Sequence, residues 1–144
     1  MTRRELYRWA GWFCVANTGL YLLVALRYLP AWSWPDSGLA TLYVPLAMAG
    51  QMAVLAIALP FLILGPLIAV WPSRRVVTAV AVFLAAAGLA LLVLDANVFM
   101  ERRFHLSLFT AALFGTSTWV FSGLVFIIAL AFEALLAGSL ACWL

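Results

Sequence analysis

Arg75-Val-Val-Thr-Ala-Val-Ala-Val-Phe-Leu-Ala-Ala-Ala-Gly-Leu-Ala-Leu-Leu-Val-Leu-Asp95 holds no charge between its two ends. Asp95 lies twenty residues after Arg75, and at helical rise that distance is about 30 Å, one bilayer hydrocarbon thickness. The stretch reads as a membrane-spanning helix bounded by an arginine on one face and an acid on the other. Its apolar run leads into the densest charged window of the half-chain, where four of the five charges that follow Arg75 fall between Asp95 and Arg103. The next residues include His105, the chain's one histidine.

The rest of the chain has the same character. Its 144 residues are 68% hydrophobic and 9% charged, with a mean hydropathy of +1.16. Soluble domains carry about a quarter charged residues, so this chain could not clothe a water-facing surface. Besides 76–99, the sequence offers apolar stretches at 9–29, 39–71 and 119–144, each long enough to cross a bilayer. The expectation is an all-α membrane protein of four transmembrane helices. Pro45, Pro60 and Pro66 fall inside the long second stretch and predict kinks. The N-terminal Met1-Thr-Arg-Arg resembles a signal-peptide start, but the apolar run after it is too long and lacks a clear cleavage site. It reads as an uncleaved first span.

The net charge of +3 comes from eight arginines and no lysine. These flank apolar runs and form no basic face, which argues against nucleic-acid binding. Arg3, Arg4, Arg8, Arg74 and Arg75 lie on one side of the predicted membrane, and Arg27, Arg102 and Arg103 on the other. The excess predicts a cytoplasmic N-terminus. Trp32, Trp34, Trp71 and Trp119 sit at predicted span ends, as an aromatic belt requires. Residues 104–114 are apolar but too short to span, and read as a periplasmic interfacial or re-entrant helix. No arginine follows Cys142-Trp-Leu144, so the chain is expected to be the membrane portion of a longer protein.

Several polar residues need an account in such a chain. Arg27 lies nineteen residues after Arg8 and therefore reaches the level of Asp95. A charge left unpaired at that depth costs several kcal/mol, so Arg27 and Asp95 are expected to approach each other, with Asn97 or Arg103 as competing partner. An anionic-lipid site in which Asp95 orients Arg27 is a further reading, and simple snorkelling another. Arg102, Arg103 and His105 stand where a lipid phosphate would lie, and the planar guanidinium suits phosphate; two arginines snorkelling at an interface next to Glu101 is an equal reading. Glu133, fourteen residues into the fourth stretch, reads as a hydrogen-bonded structural acid or a contact to a further helix or partner. Asn17 and Gln51 predict interhelical hydrogen bonds, and Ala85-Ala-Ala-Gly88 and Gly123 predict close helix packing.

Catalytic chemistry is not legible. No nucleophile has an adjacent base, and no phosphate-cradling glycine loop occurs. His105 lacks companion ligands for zinc or haem, and Cys14 and Cys142 form no metal spacing, so no cofactor is expected.

Trp12-Phe13, Asn17 and Arg27-Tyr-Leu29 in the first span, with Tyr43, Gly50, Pro66, Ser73, Arg75 and Gly88, resemble the N-terminal membrane domain of the YejM (PbgA) family. So do Leu91-Leu-Val-Leu-Asp95, Val98-Phe99 and Arg103-Phe-His-Leu106, and Glu133 falls where that family carries a membrane glutamate. The resemblance implies five membrane helices in the bacterial inner membrane, of which the fifth is missing here. A periplasmic sulfatase-like domain follows in that family and is absent from this sequence. It further implies regulation of lipopolysaccharide and outer-membrane lipid homeostasis, by restraining proteolysis of the deacetylase that commits lipid A synthesis through a LapB-like membrane adaptor. Binding of an anionic lipid, lipopolysaccharide (lipid A) or cardiolipin, is implied too. The alternative is the membrane anchor of a phosphoethanolamine or phosphoglycerol transferase of the alkaline-phosphatase superfamily. A small autonomous four-helix membrane protein is a third reading.

Overall fold

A computed structural model describes residues 2–31, 36–105 and 116–143. Helices account for nearly all of them: α1 Arg3–Ala25, α2 Gly38–Ala53, α3 Leu59–Val70, α4 Arg74–Arg102 and α5 Thr116–Trp143. Four segments are long and apolar enough to cross a membrane: Arg3–Pro30, Gly38–Val70, Arg74–Arg102 and Phe121–Trp143. Among the described residues the fold is thus all-α, with four helical segments able to span a membrane. Trp32, Trp34, the side chain of Trp119 and the interfacial helix expected over 104–114 lie outside the described residues, the last from position 106 onward.

The first helix opens on a capping box. The Thr2 hydroxyl accepts from the Glu5 amide at 3.3 Å, and the Glu5 carboxylate accepts from the Thr2 amide at 2.8 Å. Two orphan donors are satisfied at once, which starts the helix beside the basic N-terminal residues. At its other end α1 tightens into a 3₁₀ turn, Leu26–Ala31, that runs into Pro30. The second span is one path in two helices. A π-helical turn, Val54–Ala58, joins α2 to α3. Pro60 explains it: its ring would strike the carbonyl of Ala56, so the ladder widens just ahead of it. Pro45 and Pro66 leave the α-helical assignment unbroken around them.

Trp71-Pro-Ser73 turns the chain, and α4 runs unbroken to Arg102. There Arg103 adopts a left-handed conformation (φ 63°, ψ 23°), and its amide donates to the Phe99 carbonyl at 2.9 Å. A left-handed residue closes many helices, usually as glycine. Here it redirects the chain so that His105 folds back over the end of α4.

Helix α1 is the centre of the bundle and touches every other helix. Near its start Leu6, Trp9, Ala10 and Phe13 are buried with Leu64 and Ile68 of α3, Val77, Ala81 and Ala85 of α4, and Ala137 of α5. Near its end Tyr21, Ala25 and Tyr28 are buried with Met48, Met52, Ala56 and Ala96. Small side chains let the backbones approach, the main source of helix association where lipid supplies no hydrophobic drive. Gly88 is the tightest point, since a Cβ there would collide with the Tyr21 hydroxyl. Gly123 does not play the same part: a Cβ there would meet nothing within 4 Å, and the residue is exposed.

Gly88→Ala should therefore lower stability by about 1–3 kcal/mol, the usual cost of overpacking. Adding Tyr21→Phe should recover part of the loss, and Gly123→Ala should stay within about 0.5 kcal/mol of the parent chain. Thermal unfolding in detergent measures all three.

Candidate functional site

The charged window and the end of α1 meet at one end of the bundle. Tyr28, on the 3₁₀ turn, donates its hydroxyl to Asp95 Oδ2 at 2.6 Å. His105 Nδ1 lies 2.7 Å from the same oxygen. With Asp95 ionised the carboxylate can only accept, so Nδ1 carries the proton and both bonds are charge-assisted. Three rings close round the pair. His105 stacks on Phe99 at 4.6 Å, Tyr28 lies tilted 5.4 Å from Phe99, and Tyr28 stands 5.9 Å from His105. Tyr28 is buried, Asp95 half-buried and His105 exposed, so the network runs from the bundle core to its surface.

Arg27 is not the partner of Asp95. Its guanidinium Nη1 donates to Asn97 Oδ1 at 3.1 Å on the exposed side, so the expected competitor holds it. The reason is rotational. Asp95 and Asn97 stand about 200° apart around α4, and the neighbours Arg27 and Tyr28 diverge by about 120° on their 3₁₀ turn. Tyr28 turns inward, where a buried phenol needs an acceptor, and Arg27 turns outward. Arg102 and Arg103 are exposed at the same end of α4, with Arg102 in the last turn, where the helix dipole favours a cation. The four residues expected to meet lipid, Arg27, Arg102, Arg103 and His105, thus share one end of the bundle.

Tyr28 and Phe99 are the members of this cluster whose roles the residue types alone did not reveal. A signal existed for Tyr28: it follows Tyr21 by seven residues, two helical turns, and both face the core.

A second polar pair lies deep between α1 and α5. Asn17 Nδ2 donates to Glu133 Oε2 at 3.2 Å and to the Phe13 carbonyl at 3.1 Å. Both side chains are buried, Glu133 at 0% exposure. Asn17 Oδ1 and Glu133 Oε1 have no partner among the described residues. One turn along α5, Trp9 Nε1 donates to the Ala137 carbonyl at 3.4 Å. Asn17 thus makes its expected interhelical bond, and Glu133 is its recipient. Gln51 makes none among the described residues, and it lies on the exposed face of α2.

Chemically, these arrangements bind and position. Among the described residues no group of three or more His, Cys, Asp or Glu could hold a metal ion. Cys14 is buried and Cys142 exposed, both as free thiols.

Comparison with known proteins gives this end of the bundle a family setting. Residues 1–144 match the family described as a domain of unknown function, DUF3413. The inner membrane protein YejM of Salmonella typhimurium (strain LT2) is 35% identical over 116 residues, covering 75% of this chain and 20% of that protein. The same figures hold for YejM of Salmonella typhi. An uncharacterized protein of Haemophilus influenzae (strain Rd) is 27% identical over 99 residues, covering 69% of this chain and 17% of its own length. The chain therefore spans about a fifth of the length of the curated relatives it matches.

Two sets of stability measurements in detergent test the geometry. Tyr28→Phe and Asp95→Asn should each cost about 1 kcal/mol, and the double variant should cost less than their sum. Arg27→Gln and Asp95→Asn should instead add, since those side chains do not bond. Asn17→Leu, which strips Glu133 of its described partner, should cost about 1–3 kcal/mol. Adding Glu133→Leu should return part of that loss, as removal of both partners does elsewhere.

Proposed function

The chain belongs to the DUF3413 family, as the N-terminal membrane domain of a YejM-type inner-membrane protein, and we propose that it serves a regulator of lipopolysaccharide and outer-membrane lipid homeostasis. In this reading the domain contacts anionic lipid through Arg27, Arg102, Arg103 and His105. It also docks a membrane partner of the LapB-like adaptor type. The observation that carries the proposal is the gathering of those four cationic or titratable side chains at one end of the bundle. His105 belongs to the hydrogen-bonded cluster with Asp95 and Tyr28, and Arg27 is held by Asn97 beside it. A headgroup-level patch of this kind suits phosphate recognition, where a guanidinium supplies paired donors.

The orientation proposed with it has the N-terminus in the cytoplasm. Leu6 and Trp9 of α1 are buried with Ile68 of α3 and Val77 of α4, which supports placing Arg3, Arg4, Arg8, Arg74 and Arg75 at one common level. Their excess over the three arginines of the opposite end favours the cytoplasmic side. Gln51 supports the partner half of the reading. A polar amide on the exposed face of a membrane helix gains a hydrogen bond when another helix docks there.

In cells lacking their own copy, the full-length protein should restore the level of the deacetylase that commits lipid A synthesis. It should also retain the adaptor on purification. Joint replacement of Arg102, Arg103 and His105 by Ala should weaken the first effect at unchanged membrane abundance, and Gln51→Leu should weaken the second. Transfer of phosphoethanolamine or phosphoglycerol by the full-length protein, with no change in the deacetylase, would overturn the regulatory reading in favour of a transferase anchor.

A further inference from the structure

The Asn17–Glu133 contact between α1 and α5 leaves two buried polar atoms to be accounted for. Asn17 is 3% exposed and Glu133 0%, and neither Asn17 Oδ1 nor Glu133 Oε1 has a partner among the described residues. A second bond fixes which way the amide points. The Phe13 carbonyl can only accept, so the group 3.1 Å from it is the Asn17 NH₂. The other hydrogen of that NH₂ goes to Glu133 Oε2, and Asn17 Oδ1 remains as an acceptor on the same amide.

Neighbouring donors on α1 are engaged elsewhere. Trp9 donates to the Ala137 carbonyl, Thr18 to the Cys14 carbonyl and Tyr21 to the Ala85 carbonyl. No cation stands at this depth either. Among the described residues α5 packs on α1 and α4. The sequence holds no charged residue from Trp9 to Leu26 or from Val76 to Leu94, and Glu133 is the one charged residue of α5. The other ionisable groups of these stretches are Cys14, Tyr21 and, at the far end of α5, Cys142. None of the three is a cation in any state.

These surroundings select one form of Glu133. An ionised carboxylate only accepts, so Oε1 and Asn17 Oδ1 would be two buried acceptors without a donor. Its negative charge would also stand without a counter-ion, and at 0% exposure the side chain cannot snorkel to water. A charge so placed in a low-dielectric interior is neutralised by binding a proton. A metal cation fits less well. Hard cations take about six oxygen ligands, and here two oxygens are unengaged.

We propose that Asn17 and Glu133 form a proton-binding site inside the membrane, in which Glu133 is a neutral carboxylic acid at neutral pH. Its Oε1–H donates to Asn17 Oδ1 while Asn17 Nδ2 donates to Oε2, so acid and amide close a ring of two hydrogen bonds. The ligand is the proton itself. Asn17 selects the protonated form, because its oxygen accepts from a donor and repels a second acceptor. Ala129, Glu133 and Ala137, at one-turn spacing, are the buried residues of α5 among those described. The neutral pair therefore sits at the centre of the seam that joins α5 to the bundle. It is remote from the cationic end, and it stands whether or not the regulatory reading does.

Infrared spectroscopy of the full-length protein in nanodiscs tests the site at about pH 7, where an ordinary glutamate is ionised. The carbonyl stretch of a protonated carboxyl lies apart from the carboxylate bands. The wild-type protein should show such a band, carbon-13 glutamate should shift it, and Glu133→Gln should lose it. Asn17→Leu should move the band to higher frequency, towards that of an unbonded acid. Asn17→Ser serves if Asn17→Leu does not fold, with melting temperature as the check. If Glu133→Gln does not fold, the glutamate label and the Asn17 variants together assign the band. A wild-type spectrum that matches Glu133→Gln in this region would overturn the proposal, as would a glutamate band indifferent to Asn17. So would a band that appears only when sodium is removed, which would make the ligand a metal cation.

Discussion

Hydrocarbon offers no partner to a hydrogen-bond donor, and among the described residues α1 and the 3₁₀ turn that extends it carry six that reach across to other helices. Tyr7 donates to the Gly65 carbonyl, Trp9 to Ala137, Asn17 to Glu133, Tyr21 to the Ala85 carbonyl, Arg27 to Asn97 and Tyr28 to Asp95. They follow one another from the start of the helix to its end, and their acceptors lie on α3, α4 and α5. Interhelical bonds in membranes average about 0.6 kcal/mol each, so six contribute about 4 kcal/mol, a sizeable share of a marginal net stability. Their larger effect is on geometry. Each acceptor fixes both the depth and the rotation of a neighbouring helix against α1, which lipid packing alone would leave loose.

The cluster at the end of α1 follows from that constraint. Tyr28 must bury its ring and still find an acceptor, and Asp95 supplies one. Once Asp95 is drawn inward, α4 is fixed in rotation, and Asn97 then faces the exposed side, where Arg27 meets it. Arg103 completes the arrangement by its left-handed backbone, which carries His105 back onto Phe99 and Asp95. Removing any one of these conditions loosens the others, and the exposed cations inherit their positions from the buried bonds beneath them.

Depth was legible in the sequence, and rotation was not. Counting twenty residues from Arg75 put Asp95 at the level of Arg27, and the structure keeps that level. It could not say which of Asp95 and Asn97 faces Arg27, because helical rise carries no azimuth. The strongly apolar spans supply little of it. Helices that are apolar all round have no polar face to mark the outside, so the exposed Gln51 and the buried Asn17 read alike. Glu133 shows a different gap. A search for a charged partner at its depth passes over Asn17, although both stand a comparable distance from the same end of the bundle. In a low-dielectric interior an amide can serve a carboxyl as hydrogen-bond partner, so depth matching should include neutral polar residues.

One ridge of α4 explains why an open cleft coexists with tight packing. Ala81, Ala85, Leu89, Val93 and Asn97 recur at four-residue intervals and therefore form a single row along the helix. Where the row is alanine, α4 closes on α1, and Ala81 and Ala85 are buried against Trp9 and Phe13. Gly88, beside this row, admits the Tyr21 hydroxyl at the last close point. Beyond it Leu89 and Val93 line an open apolar groove with α1 and α5. Past the groove the Arg27–Asn97 and Tyr28–Asp95 bonds hold α4 against the end of α1, where Ala25, Tyr28 and Ala96 are buried together.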